Sequence, residues 1–119
     1  QELLDAYPQI SPELANKIVE VGNNLEPPMD PAWLANVINF ETGYTFDASA
    51  VNQIGATGLI QFLGSTAKNL GTTTEDLAAM SDVAQMEFVE KYFQPKSNRG
   101  ITRSGQYTDL AFRKSRVLN

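Results

Sequence analysis

Three short pieces of this chain carry residue types that could do chemistry: Glu41-Thr42-Gly43, the loop Gly55-Ala56-Thr57-Gly58-Leu59-Ile60-Gln61-Phe62, and Ser65-Thr66-Ala67. The chain has no Cys and no His. That removes thiol nucleophiles, Ser-His and Cys-His pairs, thiolate or imidazole zinc sites, and any disulfide. Calcium-loop, dinucleotide and phosphate-loop motifs are also missing from the sequence. A carboxylate is therefore the leading acid/base candidate. Leu34, Ile38 and Glu41 fall at i, i+4 and i+7, so Glu41 continues an apolar helical stripe and its carboxyl emerges at the rim of the core. Partial burial disfavours the charged form, and a Glu so placed can keep its proton near neutral pH and act as a general acid. The plainer alternative is a Glu facing solvent at a helix end, mildly opposed by the helix dipole. Asp47, the other acid close in sequence, reads as a solvated or turn-capping residue. Gly55 and Gly58 permit unusual backbone angles and close ligand approach, and Gln61 offers both a donor and an acceptor. An ordinary tight loop with a surface Gln accounts for the same residues.

The elements that must hold these pieces are helical. After Ser11, with Pro12 suited to a first helical position, Leu14, Ile18, Val21 and Leu25 form one apolar face. EPPMDP breaks the chain. Asp30 and Pro31 then start a second helix through AWLANVINFE, ended by Gly43. Residues 44–64 read as loop with a short hairpin, STAKNL as a short helix before Gly71, and Thr72 to Met80 as a brief helix. Ser81 caps a helix with Val83, Met86, Val89 and Phe93 on one face, joined by Phe88 and Tyr92, running until Pro95. KSNRGITRSGQY reads as loop and TDLAFRKSRVL as a terminal helix. Trp33, Phe88, Phe93 and Tyr92 are assigned to packing.

The 119 residues suit one mainly α domain: an N-terminal helix and linker over 1–29, a core over 30–95, and a basic segment over 96–119. Hydrophobic residues at 42% and charged residues at 19% are those of a soluble globular protein. No apolar run approaches a membrane span, and the start QELLDAYPQ lacks signal-peptide character. Beginning with Gln1, the chain is expected to be a processed product or a piece of a longer polypeptide. Residues 1–95 hold 13 acids and 3 bases, whereas residues 96–119 hold 6 bases and Asp109 alone. A solvated basic tail against an acidic body is the simplest account, and docking of an anionic polymer or partner is the sharper one. An acidic body and no recognition motif argue against nucleic acid.

Taken in order, Glu41-Thr42-Gly43, Gly55 to Phe62 and Ser65-Thr66-Ala67 resemble the motifs of lysozyme-like lytic transglycosylases of the soluble lytic and goose-type group. LGTTTEDLAAMSDVAQMEFVEKYF is similar to versions in bacteriophage tail and virion proteins. The resemblance covers roughly residues 30–95. It implies a lysozyme-like helical domain that cleaves the β-1,4 bond between N-acetylmuramic acid and N-acetylglucosamine in peptidoglycan. Glu41 matches the catalytic Glu, and Gln61 matches a Gln lining the saccharide cleft. The carbonyl of Ile60 takes a place that contacts sugar amides, and Asn52 one near the cleaved bond. Tyr44 and Phe46 flank the cleft, where an aromatic could stack on a sugar. The family's late Tyr-bearing motif is replaced here by Thr108-Asp109-Leu110-Ala111-Phe112 and then Arg113-Lys114-Ser115-Arg116. Tyr107 stands nearest to that Tyr.

The implied chemistry uses one carboxyl. Protonated Glu41 gives its proton to the glycosidic oxygen while the muramoyl N-acetyl group helps carry the developing positive charge. Glu41, now a carboxylate, takes the proton from the sugar's 6-hydroxyl, which closes a 1,6-anhydro ring. No metal or cofactor enters. The implied partners are glycan strands and other virion or tail proteins, and the implied location is a phage virion, with the bacterial periplasm or exterior second. The rivals are a hydrolytic muramidase, in which Asp47 or a carbonyl orients water, and a non-catalytic glycan-binding or structural virion module.

Overall fold

Helix succeeds helix along the chain: α1 Glu2–Ala6, α2 Pro12–Asn24, α3 Pro31–Glu41, α4 Gly64–Asn69, α5 Thr74–Ala79 and α6 Asp82–Asn98. The computed structural model describes residues 2–98, with side chains over 2–94. Among the described residues there is no strand, only isolated antiparallel bridges pairing Thr57 with Val51 and with Phe62. The fold is thus mainly α, as the sequence predicts. No helix among the described residues is long and apolar enough to cross a membrane. They also hold no group of three or more acidic residues that could bind a metal ion.

The helix starts are chemically specified. The hydroxyl of Ser11 accepts from the Leu14 N–H at 3.0 Å, the Asp30 carboxylate from Ala32 at 2.9 Å, the Thr73 hydroxyl from Asp76 at 3.0 Å, and the Ser81 hydroxyl from Ala84 at 3.1 Å. Each satisfies a backbone N–H that the helix itself leaves unpaired. Helix α2 is the central element and packs on both α3 and α6. It buries Leu14, Ile18 and Val21 against Leu34 and Ile38 of α3 and Met86, Val89 and Phe93 of α6, all within one core cluster. Lys17 reaches from α2 to Glu87 on α6 at 2.6 Å and to Glu20 at 2.8 Å. Hydrogen bonds to Glu20 and then Glu87 hold its ammonium well above the usual lysine range. Both carboxylates are solvent-exposed, so each pair adds at most about 1 kcal/mol.

Two elements differ from the sequence reading. Helix α6 runs past Pro95 to Asn98 instead of ending there. A proline forfeits its own N–H bond but need not stop a helix that is already propagating. Helix α1 is not foreseen, because five residues cannot display a periodicity. The segments KSNRGITRSGQY, beyond Asn98, and TDLAFRKSRVL lie outside the described residues, as does Tyr107.

Gly22 lets the α2–α3 connection double back. A Cβ there would sit 2.6 Å from the carbonyl oxygen of Met29, while the Met29 N–H donates to the Gly22 carbonyl at 2.9 Å. Helix propensity alone favours Ala over Gly by about 1 kcal/mol. The obstructing atom is backbone, so overpacking of roughly 1–3 kcal/mol should win. Gly22→Ala is therefore expected to lower the urea midpoint; a raised midpoint would refute this packing.

Candidate active site

Glu41 is the last residue of α3, and a well-defined turn follows it. The Gly43 N–H donates to Phe40 at 3.2 Å and the Tyr44 N–H to Asn39 at 2.7 Å, with Gly43 at φ +63°. This is a Schellman ending, which a left-handed Gly makes without a Cβ penalty. Thr42 then ties helix to loop. Its hydroxyl donates to the Ile38 carbonyl at 2.8 Å and accepts from the Phe46 N–H at 2.8 Å. Glu41 is 9% exposed and is the only buried carboxylate among the described residues. The stripe from Leu34 through Ile38 places it as the sequence predicts.

The next residues are strained and braced. Tyr44 and Phe46 adopt φ values of +73° and +55°, a region that non-glycine residues rarely enter. The linker between α1 and α2 braces them. Gln9 donates to the Tyr44 carbonyl at 3.1 Å, and the Tyr7 ring packs on Phe46 with centroids 5.1 Å apart. Phe46 is buried in the core, whereas Tyr44 is 63% exposed and leans on Phe40. Of the two aromatics expected to flank a cleft, only Tyr44 offers a face to a ligand. Asp47 closes a turn, accepting from the Ser49 hydroxyl at 2.7 Å and its N–H at 2.9 Å. The hydroxyl bond and then the backbone bond hold its carboxyl below the usual aspartate range, so at neutral pH it is an ionised turn residue and no proton donor.

The second arm of the site is the loop back to α4. Asn52 accepts from the N–H groups of Ile54 and Ala56 at 2.9 and 3.0 Å. It shapes the turn with its carbonyl and lies exposed. Gln61, at φ +58°, spends both amide hydrogens on the carbonyls of Ala50 at 3.0 Å and Gly58 at 2.9 Å. What it can offer a ligand is its amide oxygen. Ile60 is buried. A cleft of about 70 Å³ is lined by Ile60, Gln61, Phe62, Leu63, Thr66 and Tyr92. Tyr92, read from sequence as core, is half-buried: it meets Phe62 and Phe93 edge-on and also lines this cleft. Glu41 and Gln61 thus stand at the two ends of one loop, whose arms are joined where Gly58 donates to Ala50 at 2.8 Å. A larger cavity, about 730 Å³, lies at the other end of α3 against Pro31 and Ala32, roughly 15 Å of helix away from Glu41.

Sequence reasoning passed over Gln85, which holds this loop. Fully buried on α6, it accepts from the Leu59 N–H at 2.6 Å and donates to the carbonyls of Ala48 at 2.9 Å and Leu77 at 2.8 Å. The available signal is the one that picks out Glu41: a polar residue at i of an i, i+4, i+8 apolar stripe, here Gln85, Val89 and Phe93.

The chain matches no protein-family model, no curated protein and no solved structure.

This geometry sets two expectations. A Cβ on Gly58 would lie 2.5 Å from the Gln85 amide oxygen at φ +92°, whereas one on Gly43 meets nothing within 4 Å. Gly43→Ala should cost only the left-handed strain of about 1–2 kcal/mol, and Gly58→Ala that strain plus roughly 1–3 kcal/mol of overlap. Equal losses in denaturant unfolding would contradict the clamp. For Asp47, a lowered folded pKa means stability that is present at neutral pH and lost as pH falls through that value. NMR titration should place its midpoint below about 3.9, and the stability gap between the parent and Asp47→Asn should close on acidification; a gap that widens would be wrong in sign.

Proposed function

We propose that this chain is a lysozyme-like peptidoglycan lytic transglycosylase, and that Glu41 is its acid and then its base. The observation that carries the reading is the placement of Glu41: the only buried carboxylate among the described residues, at a helix end directed by a Schellman turn and the Thr42 bonds. The order of the motifs around it supplies the substrate class. The substrate is the β-1,4 bond between N-acetylmuramic acid and N-acetylglucosamine. Glu41 protonates the bridging oxygen, the bond to the muramoyl anomeric carbon breaks, and the N-acetyl group shares the positive charge. The carboxylate then accepts the 6-hydroxyl proton as that oxygen bonds to the anomeric carbon.

A one-carboxyl route suits this site better than a two-carboxyl one. Glycosidases that use water or a covalent intermediate usually place a second carboxylate across the bond. The near candidate, Asp47, is exposed and engaged with Ser49. Tyr44 supplies an exposed ring for a sugar face and Gln61 an amide oxygen for a sugar N–H or O–H. The acting location we assign is the phage virion, where such a domain opens the wall locally.

The test is digestion of purified peptidoglycan with mass spectrometry of the products. We expect 1,6-anhydro-muramoyl ends, and a loss of roughly 10²–10⁴-fold in rate for Glu41→Gln, the range for a positioned acid/base. Reducing ends would select the muramidase reading instead. Equal clearing by parent and variant would remove Glu41 from the chemistry, and no clearing by either would select the binding module.

A further inference from the structure

Gln85 touches three separate backbone segments from a position with no access to solvent. Two of these contacts are on the two arms of the site loop: Ala48, seven residues beyond Glu41, and Leu59, two residues before Gln61. The third, to Leu77, anchors the amide to the end of α5. Gly58 packs so closely on the same amide that a Cβ there would have no room. The loop between Ala48 and Leu59 also bonds to itself and to its flanks, through Asn52 to Ala56 and the Thr57–Phe62 pair, and Gln85 is the link to it from α6. Its tip bears Val51 and Ile54, both largely exposed, and its shape is kept by Asn52 and the Gly58–Ala50 bond. Gln61 depends on that shape, since one of its two donated bonds goes to Ala50 and the other to Gly58.

We infer that Gln85 is a positioning residue for saccharide binding, setting the distance between the arms of the 48–59 loop and thereby the placement of the Gln61 amide oxygen and the Ile60–Leu63 cleft. This rests on the glycan-cleaving reading of the same site, but it assigns Gln85 to affinity and leaves the proton chemistry to Glu41. Glu41 ends α3, and the backbone and Thr42 bonds that close that helix do not involve Gln85. Loss of the Gln85 amide should therefore loosen the wall that holds the sugar and leave the acid in place.

The test uses the full chain carrying Glu41→Gln, so that ligand is not consumed, and the chitin tetrasaccharide of N-acetylglucosamine as probe. Gln85→Met keeps the side chain's length and apolar volume while removing its hydrogen bonds. For the folded fraction, Kd is expected to rise roughly tenfold or more, equivalent to about 1.4 kcal/mol. In the chain with Glu41 intact, KM should rise while kcat and its pH profile stay. A residue that merely stabilises the fold would lower the melting temperature and the active fraction at unchanged Kd and KM, and that result would overturn the inference. Should Gln85→Met not fold, the parent answers by NMR: the side-chain amide of Gln85, out of reach of any ligand, should shift with the same Kd as Gln61. A silent Gln85 amide beside a shifting Gln61 would overturn the inference alone. No binding of the tetrasaccharide by the parent would overturn it together with the saccharide reading.

Discussion

One primary amide links three stretches of backbone that the chain itself keeps far apart. Gln85 is 37 positions from Ala48, 26 from Leu59 and 8 from Leu77, and its side chain satisfies one backbone group in each. Buried backbone groups deprived of a partner cost about 1–3 kcal/mol apiece. The side chain is fully enclosed, so these bonds are made away from solvent. The constraint also runs in the other direction, since Gly58 must lack a Cβ for the amide to fit. A glycine in the loop and a glutamine on α6 are thus two halves of one contact. The irregular segment between α3 and α4 obtains from α6 the order that a sheet would otherwise supply.

The second constraint is strain near Glu41. Tyr44, Phe46 and Gln61 all take left-handed backbone angles, each disfavoured for a residue with a Cβ. Each is held by a specific partner. The backbone of Tyr44 is gripped on both sides, its N–H by Asn39 and its carbonyl by Gln9. Phe46 is held by the Thr42 hydroxyl and the Tyr7 ring, and Gln61 by its own amide bonded back to the loop. The bracing of the first two comes partly from the linker before α2, so the N-terminal segment is part of the scaffold that follows α3.

Helix starts, the α3 stripe and the apolar faces of α2 and α6 were legible because they rest on local rules: a hydroxyl or carboxylate at a cap, a proline at the first turn, a period near 3.6. Glu41 was legible for the same reason, as a polar residue on an apolar stripe. Gln85 obeys the identical pattern but its partners are remote in sequence, and periodicity has no access to what a side chain meets across the core. The Asn52 and Gln61 amides were read as ligand contacts, yet most of their hydrogen-bonding capacity is turned inward to shape the loop. Turn chemistry and binding chemistry draw on the same residue types, so composition could not separate them. The continuation of α6 through Pro95 reflects a helix already anchored by Met86, Val89 and Phe93, where tertiary packing outweighs a local breaker.

These arrangements divide the labour of the site between two supports. The end of α3, fastened by Thr42, carries Glu41; α6, through Gln85, holds the loop at Ala48 and Leu59. The two are joined by the segment from Thr42 to Gly58 and by α2, which packs on both α3 and α6. Because the Schellman turn and the Thr42 bonds are local to α3, they can persist when the wall shifts. The Gln85 bonds reach Ala48 and Leu59 directly, with no atom of Glu41 in them. Under the acid-then-base role we propose for Glu41, a loop whose Ala48 carbonyl and Leu59 N–H are already bonded needs no new partner at those groups as the charge on Glu41 changes.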